Sequence, residues 1–171
     1  AATSTSPSCA TCPAGFYCPT GTVNPLTCGA GLTSDAGSGS CSTCPAGYYC
    51  PNAANALLTV LATNPCQAGS FCAAGSSTAT PTPCPAGSYC PSGITSPVSC
   101  PAGTYNPTSG QDALDDCVAC PAGSYCYEQA TNTSGPCDPG YYCLARSTGP
   151  KATPCPQGTY RNTSSAAAVT D

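Results

Sequence analysis

Cysteine is the residue type in this chain whose number and spacing could do chemistry. The sequence holds 18 cysteines and no histidine in 171 residues. Thiols at regular spacing either form disulfides or bind zinc. Nine of these cysteines open a Cys-x-x-Gly-x-aromatic motif, and all nine copies keep the glycine. In chain order the opening residues of motifs 1 to 9 are Cys12, Cys28, Cys44, Cys66, Cys84, Cys100, Cys120, Cys137 and Cys155.

The second cysteine of a motif occupies one of two places, counting the opening cysteine as position 1. Six motifs carry it at position 7, and in those six no cysteine stands three residues before the following motif. Motifs 2 and 6 have Ser34 and Asn106 at position 7, and there a cysteine does precede the next motif. Because the two places exclude each other, the spacing predicts eight local bridges. They are Cys12–Cys18, Cys28–Cys41, Cys44–Cys50, Cys66–Cys72, Cys84–Cys90, Cys100–Cys117, Cys120–Cys126 and Cys137–Cys143.

Two alternatives use the same cysteines differently. One pairs each position-7 cysteine with the next motif and bridges Cys9–Cys12, Cys41–Cys44 and Cys117–Cys120, which disregards the exclusion and needs strained Cys-x-x-Cys rings. The other gives those three pairs to zinc, although each belongs to a motif that recurs without the pair. The acidic residues Asp112, Asp115 and Asp116 lack the alternating oxygen pattern of a calcium loop. We therefore predict local bridges, no metal and no cofactor.

Cys155 and Cys9 are left over by this scheme. Cys155 opens motif 9, and the chain to Asp171 stops one residue short of the partner position that Cys117 fills for motif 6. Cys9 stands three residues before motif 1, which is the partner position for a preceding motif. We expect Cys155 to pair with Cys9 of the next subunit in a head-to-tail homopolymer. The alternative is that residues 1–171 are a window of a longer chain.

The motif itself predicts a tight turn. Proline follows the opening cysteine in six copies and is predicted to preset φ at the second turn position, while glycine accepts a left-handed exit. We expect each motif to be a small hairpin corner, with the aromatic on the outgoing strand lying over the disulfide. Eight motifs keep that aromatic, and Thr33 replaces it in motif 2. The eight are Tyr17, Tyr49, Phe71, Tyr89, Tyr105, Tyr125, Tyr142 and Tyr160.

Composition excludes a large apolar core. The chain has two Phe, no Trp and no Met, and its 20 Pro and 18 Gly interrupt any long helix or strand. Successive motifs open 16, 16, 22, 18, 16, 20, 17 and 18 residues apart, which is typical of a repeat array whose units contact their neighbours. The predicted fold is a small disulfide-rich repeat array over 1–171, with linking ends at 1–8 and 161–171. We expect an extended rod of short β-hairpins and turns, with little regular secondary structure and no single hydrophobic core.

The longest insertion, Asn52 to Pro65, holds a cluster of four large aliphatic side chains. Leu57, Leu58, Val60 and Leu61 predict one short helix, which either covers its own repeat or forms an exposed binding patch.

The cysteine content predicts an oxidising, extracellular location. The start Ala1-Ala2-Thr3-Ser4 has no signal-peptide pattern, so we expect a mature or internal piece. The apolar stretch Ala56–Ala62 is far shorter than the roughly 20 residues that cross a bilayer, so no membrane insertion is predicted. The net charge of −4 disfavours nucleic acid as a partner. Without histidine or paired buried carboxylates, we predict no catalytic residues and no enzyme activity.

Two sequons indicate covalent glycans. Asn132-Thr133-Ser134 and Asn162-Thr163-Ser164 are N-glycosylation acceptors, and both lie on spacers between motifs.

The stretch Cys100-Pro-Ala-Gly-Thr-Tyr105 through Cys117-Val-Ala-Cys120 resembles the ephrin-receptor-like cysteine-rich repeat. The other motifs look like its Cys-Pro-Ala-Gly-Tyr-Tyr-Cys variant, as at Cys44–Cys50, so the resemblance covers essentially the whole chain. Such arrays resemble parts of protist and algal surface proteins and flagellar hairs. The resemblance implies an extracellular spacer or structural rod. Together with the unpaired Cys155 and Cys9, it leads us to predict a structural protein that assembles with copies of itself into a glycosylated filament or surface appendage. The alternative is an adhesive or ligand-binding ectodomain segment of a larger cell-surface protein, and fold alone does not decide between them.

The predicted connectivity has a direct test. Peptide mapping of the unreduced protein is expected to return Cys44–Cys50 and Cys100–Cys117 as separate bridges. A peptide that links Cys41 to Cys44 would contradict the scheme and favour the alternative pairing.

Overall fold

The computed structural model describes residues 9–51 and 56–170, apart from the side chain of Leu58. The chain divides into two compact units. The first consists of Ala1–Pro65 with Ala73–Ala79, and the second of Cys66–Cys72 with Thr80–Asp171. Each unit is a series of motifs and hairpins built on the same local plan.

Within the described residues the β-structure consists of seven antiparallel hairpins of two-residue strands, so the predicted repeat array of short hairpins is confirmed. Each hairpin joins consecutive strands in the sequence, and no sheet has a third strand within the described residues. The hairpins are β1 (Phe16–Tyr17) with β2 (Leu26–Thr27), β3 (Leu32–Thr33) with β4 (Ser42–Thr43), β5 (Ser70–Phe71) with β6 (Thr82–Pro83), β7 (Ser88–Tyr89) with β8 (Val98–Ser99), β9 (Thr104–Tyr105) with β10 (Val118–Ala119), β11 (Ser124–Tyr125) with β12 (Gly135–Pro136), and β13 (Tyr141–Tyr142) with β14 (Thr153–Pro154).

One register is used in every hairpin. Positions 5 and 6 of a motif pair with the last two residues before the next motif, as Phe16 with Thr27 and Tyr17 with Leu26. In motif 3 the same register survives as a single bridge between Tyr48 and Pro65. Each hairpin therefore begins in one motif and ends at the next, so its loop is the spacer and not the motif.

The motif forms the turn that leads into the hairpin. This turn begins at position 2 of the motif, one residue later than predicted. The N–H of position 5 donates to the carbonyl of position 2, as from Phe16 to Pro13 at 3.2 Å and from Thr104 to Pro101 at 3.1 Å. Proline thus occupies the first turn position, and the prediction that it occupies the second is wrong. Glycine occupies the third position with φ between +77° and +87° in all nine motifs. A positive φ there is the type II arrangement that glycine favours.

The insertion forms the predicted short helix, α1 (Leu57–Thr63). Its Val60 is 1% exposed and packs against the disulfide Cys44–Cys50, with Tyr48 at the edge of the cluster. The N–H of Leu57 donates to the Asp35 carboxylate at 3.0 Å. The helix therefore covers its own repeat. A one-turn 3₁₀ helix, η1 (Leu114–Asp116), precedes Cys117.

The buried apolar residues of the described chain are mainly cystines. Besides cysteines only Val60 and Ala166 are buried among the apolar residues, and most of the paired sulfurs are fully enclosed. The motif aromatics are half-buried instead, except Tyr160, which is 88% exposed. Disulfides thus fill the place that a single apolar core has in other folds, as the composition predicts.

Candidate functional site

The surface that recurs along this chain is the contact between one motif and the next, and it is made of backbone. The opening cysteine N–H of the next motif donates to the glycine carbonyl, as Cys28 to Gly15 at 3.1 Å. The glycine N–H donates to the position-7 carbonyl of the next motif, as Gly103 to Cys126 at 2.8 Å. Because these bonds use main-chain groups, they recur wherever the turn geometry recurs.

Two further backbone bonds complete each contact. The N–H at position 7 donates to a carbonyl in the second turn of the next motif, as Cys126 to Ser147 at 3.0 Å. In the other direction, a second-turn N–H donates to the opening cysteine carbonyl, as Arg146 to Cys120 at 2.9 Å. We call this set of four bonds the inter-repeat ladder. Each kind of bond occurs seven times along the described residues.

Motif glycines also contact the motif after next. A Cβ built on Gly103 would come closer than 3.0 Å to the carbonyl oxygen of Arg146, a residue of motif 8. Gly123 meets Ser165 in the same way, two motifs further on. Any side chain at these glycines would displace backbone, so glycine is required both for positive φ and for this close approach. The same contact is made by Gly31, Gly69 and Gly87.

The residue that makes the other half of this contact was not predicted from the sequence. In the described repeats it lies in a second turn after position 7 and has positive φ, as at Gly75 with φ +81° and Gly110 with φ +79°. Later in the chain Gln129, Arg146 and Ser165 take this conformation at φ 60° to 69°. The signal for it was present in Pro-Thr-Gly21 and Pro-Ser-Gly93, which are turn sequences that follow position 7.

In motifs 2 and 6, a buried polar side chain replaces the position-7 cysteine. The Ser34 hydroxyl donates to the Phe16 carbonyl at 2.8 Å, and the Asn106 amide donates to the Ser88 carbonyl at 3.0 Å. Both acceptors are position 5 of the preceding motif, so the two residues make the same bond. Asn106 is 0% exposed, and its side-chain oxygen accepts from the N–H of Thr108 at 3.1 Å. From the sequence, these two positions were recognised only by the absence of cysteine, and their hydrogen bonds were not predicted.

The structure brings together all eight cysteine pairs that the spacing predicts, with Cα–Cα distances of 5.7 to 5.9 Å. Cys41, Cys44, Cys117 and Cys120 each bridge to another partner, so neither the alternative disulfide scheme nor the zinc alternative describes this structure. Cys9 is exposed and Cys155 half-buried, and neither is bridged.

Both ends of the described array present parts of the inter-repeat contact without cover. At motif 9, Gly158 is exposed, and a Cβ built on Gly158 or Gly140 would meet nothing within 4 Å. At motif 1, Cys18 is half-buried, whereas the position-7 cysteines of the other motifs are 0% exposed. A cleft of about 380 Å³ adjoins motif 1. Its lining includes Cys9, Ala10, Thr11, Cys12, Cys18 and Gly21.

Asp116, outside this contact, stabilises local structure. The Asp116 carboxylate accepts from the N–H groups of Ala113 at 3.0 Å and Asp112 at 3.2 Å, which caps η1. Among the described residues, no group of three or more His, Cys, Asp or Glu side chains could hold a metal. No helix in this part of the chain is long and apolar enough to cross a membrane.

Tyr125 and Tyr127 form the one ring pair of the described residues, edge to face at 5.1 Å between centroids. Burial of the ring raises the pKa of Tyr125, and the neighbouring Tyr127 hydroxyl and Asp138 carboxylate add to the shift. A ring contact of a second kind places the Lys151 ammonium 6.0 Å from the Tyr141 centroid.

Both predicted glycan acceptors lie on exposed backbone. Asn132 and Asn162 are exposed, each in a spacer outside the hairpin strands. The N–H of Thr133 donates to the Asn132 side-chain oxygen at 2.8 Å. Glycosylation of either residue stays a prediction, and their exposure is compatible with it.

A scan against protein-family models and a search of curated proteins found no match to this chain. The resemblance to the ephrin-receptor-like repeat therefore stays a prediction. The candidate site is therefore described by its structure alone. It is a backbone interface that recurs between successive motifs.

A matched pair of substitutions tests the close approach at the motif glycine. Gly103 and Gly158 occupy the same motif position with φ +84° and +87°, but only Gly103 faces a carbonyl. In a Cys155→Ser background, Gly158→Ala is expected to cost only the local left-handed strain, about 1–2 kcal/mol. Gly103→Ala should cost about 1–3 kcal/mol more because of the overpacking. Denaturant unfolding of the oxidised proteins measures the difference, and equal losses would contradict the contact.

Proposed function

We propose that this protein is a non-catalytic extracellular structural protein whose repeat array assembles head to tail with copies of itself. The observation that carries the proposal is that uncovered parts of one repeated contact lie at motif 1 and at motif 9. Gly140 and Gly158 lack the neighbours that internal glycines have, and Cys18 lacks the cover of its counterparts. A contact between different surfaces of identical copies does not close on itself, so it produces a filament.

The disulfides and hairpins indicate the broad class of the protein. Eight disulfides and seven repeated hairpins fit an extracellular cysteine-rich structural or ectodomain module, because such bridges persist in oxidising surroundings. Within that class we propose a surface filament or appendage of the kind implied by the resemblance to ephrin-receptor-like repeats. Glycans on Asn132 and Asn162 would project from exposed spacers.

The proposed covalent joint is a disulfide between Cys155 of one copy and Cys9 of the next. Both are unbridged within the chain. A disulfide-bearing oxidant of the extracellular compartment would accept two electrons and two protons from the two thiols as the new bond forms.

An adhesive or ligand-binding ectodomain is the alternative function, and its candidate patch was Leu57 to Leu61. Val60 of this patch is buried against the Cys44–Cys50 bridge, although Leu61 is 38% exposed. Since the helix packs inward on its own repeat, we favour assembly over ligand binding.

Denaturing gels test covalent assembly. Without reductant the protein is expected to run as a series of multimers, and reduction should collapse them to one band of 16.7 kDa plus glycans. Treatment with an N-glycosidase serves as a control that separates glycan heterogeneity from multimers. A monomeric band without reductant, with Cys9 and Cys155 free or bridged within one chain, would show that covalent assembly is wrong.

A further inference from the structure

The residues that pair across each spacer have unpaired equivalents at motif 1 and at motif 9 within the described chain. In all seven hairpins, position 5 faces the residue immediately before the next motif, and position 6 faces the residue before that. At motif 9 these positions are Thr159 and Tyr160, which are exposed and belong to no strand of the described chain. Before motif 1 the corresponding residues are Thr11 and Ala10, which are exposed and also belong to no strand.

We propose that Ala10–Thr11 of a second copy pairs with Thr159–Tyr160 as an eighth antiparallel hairpin, with Thr159 facing Thr11 and Tyr160 facing Ala10. The inference rests on the proposed head-to-tail function and specifies its joint. It is strand addition, in which backbone hydrogen bonds supply the affinity. The occupant is a copy of this chain because motif 1 offers the complement of what motif 9 offers.

The inter-repeat ladder gives the bonds expected at the joint. The Cys12 N–H would donate to the Gly158 carbonyl, as Cys155 donates to Gly140 within the chain at 3.0 Å. The Gly158 N–H would donate to the Cys18 carbonyl, as Gly123 donates to Cys143 at 2.8 Å. Within the described residues the N–H groups of Cys12 and Gly158 have no partner.

A third bond and a close approach complete the match. The Gly21 N–H would donate to the Cys155 carbonyl, as Arg146 donates to Cys120 at 2.9 Å. The Gly21 carbonyl would then lie over Gly140, as that of Arg146 lies over Gly103. Gly21 has the required positive φ of 78°. The 380 Å³ cleft beside motif 1 is bordered by these same groups, which leaves room for the incoming strand.

The joint would also align the two unbridged thiols. Cys41 and Cys117 stand three residues before a motif, and each bridges to the opening cysteine of the previous motif across 5.8 and 5.7 Å between Cα atoms. Cys9 stands three residues before motif 1, so this register brings it to the same place beside Cys155. Strand addition therefore precedes and directs the disulfide.

The register predicts which residue must keep its N–H. Bonded and non-bonded pairs alternate in an antiparallel pair. Since Cys28 bonds to Gly15, the pair Phe16 with Thr27 is non-bonded and the pair Tyr17 with Leu26 is bonded. Four internal residues at the non-bonded place are prolines, which donate no N–H: Pro65, Pro83, Pro136 and Pro154. By the same register, the Ala10 N–H is a donor at the joint and that of Thr11 is not.

Ala10→Pro and Thr11→Pro therefore form a matched pair for the test. Labelled and unlabelled full-length proteins, with their eight internal bridges formed, are mixed in a glutathione redox buffer. Oxidised glutathione takes two electrons and two protons from each Cys9–Cys155 pair and leaves as two thiols. Mass spectrometry counts hybrid labelled–unlabelled Cys9–Cys155 peptides, which arise only between molecules. The rate at which a small disulfide reagent modifies Cys9 controls for its intrinsic reactivity.

We expect the native chain and Thr11→Pro to form the hybrid bridge equally, and Ala10→Pro to form about tenfold less because a ladder bond is lost. If Ala10→Pro links as well as the native chain, or if both prolines reduce linkage alike, the strand-addition joint is overturned while head-to-tail assembly stands. If the native chain yields no hybrid bridge, the joint and the proposed covalent assembly fail together.

Discussion

The structure depends on a steric constraint at the motif glycine. The backbone there turns with positive φ in every motif, and at five of these glycines a carbonyl from the motif after next approaches so closely that a Cβ would collide with it. The same glycine donates and accepts ladder bonds with the next motif. One residue without a side chain thus fixes the turn, the contact to the next motif and the contact to the motif beyond. Repetition of this constraint is what makes the chain an array.

Disulfides add stability and fill the interior, which the backbone contacts between motifs do not do alone. A ladder of main-chain bonds gives direction and register, but each bond contributes only about 0.5–1.5 kcal/mol net because water competes for the same groups. In the loop-entropy model, short bridges such as Cys120–Cys126 each raise the free energy of the unfolded chain by roughly 2–3 kcal/mol. They also fill the interior, since their sulfurs are almost all buried. Ser34 and Asn106 show that this interior position tolerates a polar residue when its hydrogen bonds are satisfied.

The sequence predicts most of the local structure and little of the contact between repeats. Cysteine spacing predicts the eight pairs, glycine predicts the positive φ, and the aliphatic residues of the insertion predict α1, because each depends on neighbours in sequence. The turn at Pro13 begins one residue later than predicted, because glycine at the third position of a type II turn sets the frame and the first residue needs only a carbonyl. The approach of Arg146 to Gly103 was not predictable, because it joins residues of different motifs through backbone and leaves no signature in side-chain type.

Amide hydrogen exchange of the oxidised protein, resolved at the motif glycines by NMR, tests the inter-repeat ladder most directly. A Cys9→Ser, Cys155→Ser variant keeps the chain from linking to its copies. The N–H groups of Gly103 and Gly123 donate to the next motif at 2.8 Å, whereas that of Gly158 has no acceptor in the described chain. We predict strong protection at Gly103 and Gly123 and rapid exchange at Gly158. Exchange at Gly103 as fast as at Gly158 would contradict the ladder.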